Sequence, residues 1–239
     1  MQVTRFEAAR LKCIEVCPEK AAGTELPLVI LLHGRGDWGE NYVDFAPAIN
    51  STAYRFVFPT APLPLAGAMF EWFRFDSYNI GAAAAQARRQ ASQLLDELLH
   101  KYNTPAARTV LGGFSQGGIM ALEVGLRYPE RLAGLVELSG ALVADANLNW
   151  MNPGDPQLYY NNDRGDLKSA LAAAASLKLP VFMAHGTYDP VLPVRIGRAS
   201  RDRLLQAGLE VEYYEFRGGH EVTMEELSRI KAFLARVLG

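Results

Sequence analysis

Residues 27–33 read Pro-Leu-Val-Ile-Leu-Leu-His, a continuous apolar run of strand length. Such a run predicts a strand covered on both faces. It ends at Gly34. Other β-type runs lie at 11–17, at 54–58 (closed by Pro59), and at 109–114, 133–138, 180–184 and 209–216. Between them apolar residues recur at helical spacing. The clearest case is 82–102, where Ala87, Ala91, Leu94, Leu95, Leu98 and Tyr102 share one face. Arg88, Arg89, Gln93, Asp96 and Glu97 fall mostly elsewhere on it. Further helices are predicted at 117–127, stopped before Pro129, and at 194–207 and 224–238. The last turns Leu227, Ile230, Phe233, Leu234 and Val237 inward. Strands thus alternate with helices from about residue 27 onward. The order predicts an α/β fold, a mainly parallel twisted sheet with helices on both faces. Ligands of such sheets bind beyond the carboxyl ends of the strands, so functional residues are sought directly after strands.

Composition narrows the picture without changing it. A chain of 239 residues, 49% of them apolar, can bury a sizeable core, and one domain spanning 1–239 is expected. The 24 basic and 26 acidic residues are interspersed, leaving a net charge of -2. No basic tract asks for nucleic acid or an anionic membrane. The longest clean apolar run, 26–32, contains Pro27 and is far short of a spanning helix, so no stable membrane insertion is expected. Residues 1–10 mix charged and apolar side chains with no apolar core of a signal peptide. Cys13 and Cys17, in an extended segment, stand about 13 Å apart, too far for a disulfide. Neither their spacing nor their neighbours suggest a metal. A cytoplasmic protein in a reducing compartment is the expectation.

The chemistry gathers in four loops that follow strands. Gly113-Phe114-Ser115-Gln116-Gly117 is a G-x-S-x-G motif with a strand before it and a helix after it. Such a turn lifts the serine hydroxyl toward the positive end of the helix. A serine needs a base, and in this architecture the order is serine, acid, histidine. Of four histidines only His185 and His220 follow Ser115, and only His220 leaves room for an acid after residue 180. Asp189, in a loop stiffened by Pro190 and Pro193, is the favoured acid. Asp145, Asp155, Asp163 and Asp166 also lie between serine and histidine, in a region without clear strands. Acyl transfer needs donors for the developing oxyanion. One is the backbone N–H of Gln116. The other comes from the loop His33-Gly34-Arg35-Gly36-Asp37.

These motifs, with Glu71-Trp72-Phe73 and His185-Gly186-Thr187-Tyr188-Asp189-Pro190-Val191-Leu192-Pro193, resemble the phospholipase/carboxylesterase family. That family includes bacterial carboxylesterases and acyl-protein thioesterases. The resemblance covers nearly the whole chain from Pro27. It implies a compact α/β-hydrolase without a separate cap domain, and Ser115, Asp189 and His220 as a triad. It also implies the backbone amides of Arg35 and Gln116 as oxyanion donors, and Trp72 and Phe73 beside the site. With Met69 of the same apolar segment they would line an acyl pocket, ordinary core packing being the alternative. Arg35 departs from the pattern, standing where many relatives carry an apolar residue. The stretch 143–169 is longer and more polar than in compact relatives, and is either a substrate-contacting flap or a surface excursion.

The expected reaction is hydrolysis of a short- to medium-chain carboxylic ester, including a lysophospholipid, through an acyl-enzyme. An acylated protein as thioester substrate is the alternative, and a binding protein that keeps the fold without catalysis is the reading of another class. No metal or organic cofactor is required. A homodimer is common enough to expect, although no segment marks an interface.

Overall fold

In a computed structural model of the chain, the described residues are 1–19, 25–49, 53–74, 80–142 and 164–239. The strands are β1 (Gln2–Ala8), β2 (Leu11–Cys17), β3 (Leu28–Leu32), β4 (Arg55–Pro59), β5 (Leu63–Pro64), β6 (Phe70–Glu71), β7 (Thr109–Phe114), β8 (Gly134–Leu138), β9 (Pro180–Gly186) and β10 (Glu210–Phe216). The α-helices are α1 (Phe45–Ala48), α2 (Ile80–Tyr102), α3 (Gln116–Gly125), α4 (Arg164–Ser176), α5 (Val194–Gln206) and α6 (Met224–Leu238). Eight strands form one sheet in the order β1-β2-β4-β3-β7-β8-β9-β10. From β4 to β10 every neighbour is parallel, while β1–β2 and β2–β4 are antiparallel.

Alternation along the central strands explains the two-sided cover. Leu28, Ile30, Leu32, Leu111, Leu135, Val181 and Met183 share one apolar cluster with the inner faces of α2 to α5. Val29, Leu31, Val110, Val136, Leu138, Phe182 and Ala184 face the other way, onto α1 and α6. Each strand is therefore apolar at successive positions, which is the pattern of the run at 27–33. On α2 the predicted stripe Ala87, Ala91, Leu94, Leu95 and Leu98 is buried. On α6, Ile230, Phe233 and Leu234 are buried, and Thr223 caps the helix in a reciprocal box with Glu226.

Besides the short α1, β5 and β6, two longer elements differ from the sequence expectation. Residues 2–8 form an edge strand, mostly exposed and held by its antiparallel ladder to β2 rather than by burial. Of the stretch expected as a loop or flap, 143–169, residues 143–163 lie outside the described residues, and 164–169 are the first turns of α4. That helix is made by Leu167, Ala170, Leu171 and Ala174, an i, i+3, i+4, i+7 stripe that is buried. Cys13 and Cys17 are free and buried.

Candidate active site

Ser115 follows β7, between β3 and β8 near the middle of the sheet. Its φ of 53° and ψ of -118° form a conformation that a side-chain-bearing residue rarely adopts. Packing imposes it. The Ser115 N–H donates to Leu138 O at the end of β8 (2.7 Å), and Ser115 O accepts from Ile119 N–H (3.0 Å). A Cβ on Gly117 would overlap Leu32 O at the end of β3, so α3 starts hard against the sheet only because residue 117 has no side chain. The serine is left at the amino terminus of α3, where free N–H groups favour developing negative charge.

The two other residues of the expected triad come from the far half of the sheet. Asp189 lies just beyond β9, and His220 lies between β10 and α6. His220 Nδ1 and Asp189 Oδ2 are 2.6 Å apart. Asp189 Oδ1 accepts from the N–H groups of Val191 and Leu192, each at 2.8 Å. Burial, the largest influence, pushes the Asp189 carboxyl up. The His220 bond and the two amides outweigh it and hold the group below the usual carboxylate range. Because the carboxylate only accepts, Nδ1 of His220 carries the shared proton and Nε2 is left to act as a base. The His220 ring lies 4.7 Å, centre to centre, from that of Phe114, the residue before Ser115. Backbone contacts bring the loops together: Tyr188 N–H donates to Gly218 O (2.9 Å), and Thr187 N–H to Phe216 O (2.9 Å).

The segment 70–73 joins the other two loops. Gly36 N–H donates to Phe70 O (2.9 Å) and Phe70 N–H to Asp37 O (3.1 Å). Trp72 Nε1–H donates to His33 O (2.9 Å), and Arg35 Nε–H to Glu71 Oε2 (2.8 Å). The buried Gln116 side chain grips the same segment. Its Oε1 accepts from Trp72 N–H (2.8 Å) and its Nε2–H donates to Phe73 O (2.6 Å). One short segment thus ties the 33–37 loop to the start of α3. Gly36 has φ of 85°, the value a type II turn requires at its third residue, and Asp37 N–H closes that turn on Gly34 O (3.3 Å). A Cβ placed on Gly34 would stand 3.2 Å from the Phe114 ring and 3.4 Å from Ser115 Cβ, so this loop lies against the serine. Neither Arg35 N–H nor Gln116 N–H has an acceptor among the described residues.

Trp72 and Phe73, expected at an acyl pocket, are 2% and 1% exposed. Their visible task is to brace the loops. Met69, in contrast, is exposed, with Gly36 beneath its sulfur, and Tyr188, Val191 and Val222 are exposed on the Asp189 and His220 loops, as is Met224 at the start of α6. Arg35, expected for its backbone, also anchors Glu71, which is nearly inaccessible. Of the other candidate acids, Asp166 sits in the first turn of α4, bonded to Arg127 (2.6 Å). Asp145, Asp155 and Asp163 lie outside the described residues. Among the described residues no cluster of His, Cys, Asp or Glu is arranged to hold a metal.

Three polar side chains near the site were not singled out by sequence, those of Glu137, Glu226 and Gln116, and Glu71 was noted only as part of a motif. Glu137, on β8 behind Ser115, accepts from Gly140 N–H, and burial pushes its carboxyl up to about 8, with the charge of Glu226 adding to the rise. Burial likewise pushes Glu226, in the first turn of α6, up to about 7 against its bonds from Thr223. The available signal was a carboxylate inside an apolar strand, Gly-Leu-Val-Glu-Leu.

The family model described as Phospholipase/Carboxylesterase matches residues 12–153 and 163–238. Acyl-protein thioesterase 1 of Neurospora crassa is 31% identical, over 88% of this chain and 86% of its own. Its namesake in Yarrowia lipolytica is 32% identical, over 91% and 93%. The crystal structure of esterase PE8 superposes with a TM-score of 0.74 at 25% identity, covering all of both chains. With the fold, the order of its loops and these likenesses together, the chain belongs to the phospholipase/carboxylesterase family.

Proposed function

We propose that Ser115, His220 and Asp189 act as nucleophile, base and acid in the hydrolysis of carboxylic esters or thioesters. The observation that carries the assignment is the 2.6 Å bond between His220 and Asp189, held against Phe114 beside the strained serine. A hydrolase of the esterase or thioesterase class also agrees with the family and with relatives named acyl-protein thioesterase. His220 takes the Ser115 proton as the oxygen attacks the carbonyl carbon. The N–H groups of Arg35 and Gln116 receive the oxyanion. His220 then passes the proton to the leaving alcohol or thiol, and a water repeats the sequence to free the acid.

The exposed apolar side chains Met69, Tyr188, Val191, Val222 and Met224 favour an acyl chain, on a lipid or on a protein, over a small polar ester. The reading includes a single domain of 1–239, a cytoplasmic setting and a homodimer. A single melting transition and sedimentation of the purified chain check the first and last. Among the described residues no helix is long and apolar enough to cross a membrane.

The decisive test is Ser115→Ala. It should lower kcat on a p-nitrophenyl ester by about a million-fold and abolish labelling by a fluorophosphonate. Ester hydrolysis at the wild-type rate in that variant refutes the assignment. Across acetate to decanoate esters kcat/KM should rise with chain length until the pocket ends, each buried methylene contributing about 0.8 kcal/mol. A flat series would remove the acyl-chain preference.

A further inference from the structure

His33 directly follows β3 and is completely buried, and the acyl-transfer chemistry proposed above leaves it without a task. Its surroundings fix its chemical form. Nε2 accepts a hydrogen bond from Ala61 N–H at 2.9 Å. A backbone amide can only donate, so Nε2 has no proton. Burial lowers the imidazole pKa, against the upward pull of Gly34 O and Asp37, so the ring is neutral. Its one proton is then on Nδ1, which stands 2.7 Å from Gly34 O.

Gly34 O belongs to the same peptide group as the N–H of Arg35. A trans peptide is planar, with its C=O and N–H pointing in opposite directions. Holding the carbonyl therefore aims the amide. The carbonyl is held twice, by His33 Nδ1–H and by Asp37 N–H at 3.3 Å. Hydrogen bonding to the oxygen also polarises the amide and makes its N–H a better donor. The other oxyanion donor, Gln116 N–H, is aimed by the helix that it begins, whereas Arg35 lies in a loop with glycine on both sides.

We propose that His33, fixed as the Nδ1–H tautomer, is a positioning residue that aims the Arg35 N–H at the oxyanion. The inference rests on the acyl-transfer reading and assigns to that site a part that acts through another residue. It makes the two ring nitrogens unequal. Nδ1–H serves the donor peptide, and Nε2 serves only the loop at Ala61.

Two substitutions separate them. Glutamine places a polar atom near Nε2 and can keep Ala61 N–H satisfied, but it does not donate to Gly34 O. Asparagine places an amide near Nδ1 and can donate to Gly34 O, but it does not reach Ala61. The rates are measured on p-nitrophenyl butyrate per active site, counted by fluorophosphonate burst titration. His33→Gln should lower kcat by about 10- to 100-fold with KM within about twofold, short of the loss from deleting a donor outright. His33→Asn should keep a kcat at least about fivefold above that of the glutamine variant. A glutamine variant within about twofold of wild type, or an asparagine variant that falls equally far, overturns the proposal. Nitrogen-15 NMR of the wild-type protein gives an answer that needs no variant to fold. The His33 proton should reside on Nδ1 from pH 6 to 9, and a proton on Nε2 overturns the proposal. A wild-type protein with no burst and no ester turnover would instead refute the acyl-transfer reading, leaving the tautomer result to stand by itself.

Discussion

At Ser115 the chain has no room, and at His220 it has some. A side chain on Gly117 would overlap Leu32 O, and the serine backbone is held by Leu138 O and Ile119 N–H. A Cβ on Gly219, next to His220, would meet nothing nearer than Pro190 Cδ at 3.9 Å. Backbone bonds tie the loop to its neighbours, but the His220 ring itself is held by one bond with Asp189 and by its contact with the Phe114 ring. The Ser115 backbone, the proposed nucleophile's, is thus fixed by packing, and the ring of His220, the proposed base, by side-chain contacts. Damage to the first should appear as lost stability, and damage to the second as lost rate in a protein that still folds.

The largest effect is expected on the side-chain half. Asp189→Asn should lower kcat by about 10⁴-fold, because an amide facing Nδ1 favours the wrong tautomer. Its melting temperature should stay near that of wild type, since the asparagine oxygen can still accept from Val191 and Leu192. A rate within tenfold of wild type would show that Asp189 does not place the base. Next comes Gly117→Ala, which should cost about 3 kcal/mol or more in denaturant unfolding, as the added methyl must displace the end of β3. Cooperative unfolding at the wild-type denaturant midpoint would refute the packing account.

A smaller effect compares one buried carboxyl from each half, Glu137 behind the serine and Glu226 beyond the histidine loop. Both are raised above the ordinary value of 4.5, to about 8 and about 7. Between pH 4.5 and 8 the folded chain therefore holds protons that the unfolded chain has lost. Stability should fall as pH rises through that window. The melting temperature should be higher at pH 5 than at pH 8.5, and Glu137→Gln should flatten much of the slope. An unchanged slope in that variant would mean that Glu137 ionises elsewhere. The smallest effect is Gly219→Ala, expected to change stability by less than about 0.5 kcal/mol. A loss as large as that at Gly117 would erase the contrast between the two halves.

Sequence disclosed this site unevenly. The turn at 113–117 and the pairing of Asp189 with His220 were legible because each lies in a loop that follows a strand, and strands buried on both faces leave long apolar runs. β1 left no such trace. As an edge strand its ladder to β2 is made by backbone atoms that every residue carries. The start of α4 was hidden by the polar residues before it. The bracing of the oxyanion loops was hidden for a different reason. Trp72 meets Gln116 and His33 across 44 and 39 residues of chain, and no local pattern reports such pairings. An aromatic pair in that segment suggests a pocket lining, whereas its hydrogen bonds show a brace.

The pairing of Arg35 with buried Glu71 carries a consequence for how this protein can change. The backbone of residue 35 serves the proposed chemistry whatever its side chain, so the position looks open to substitution. It is open only conditionally. Replacing Arg35 alone takes from a 2% exposed carboxylate its close ionic partner, while Arg74 stands at 3.8 Å. Replacing both residues with apolar ones removes the conflict. The two sites are therefore epistatic, and a mutational path to an apolar residue at position 35 is smoother when Glu71 changes first.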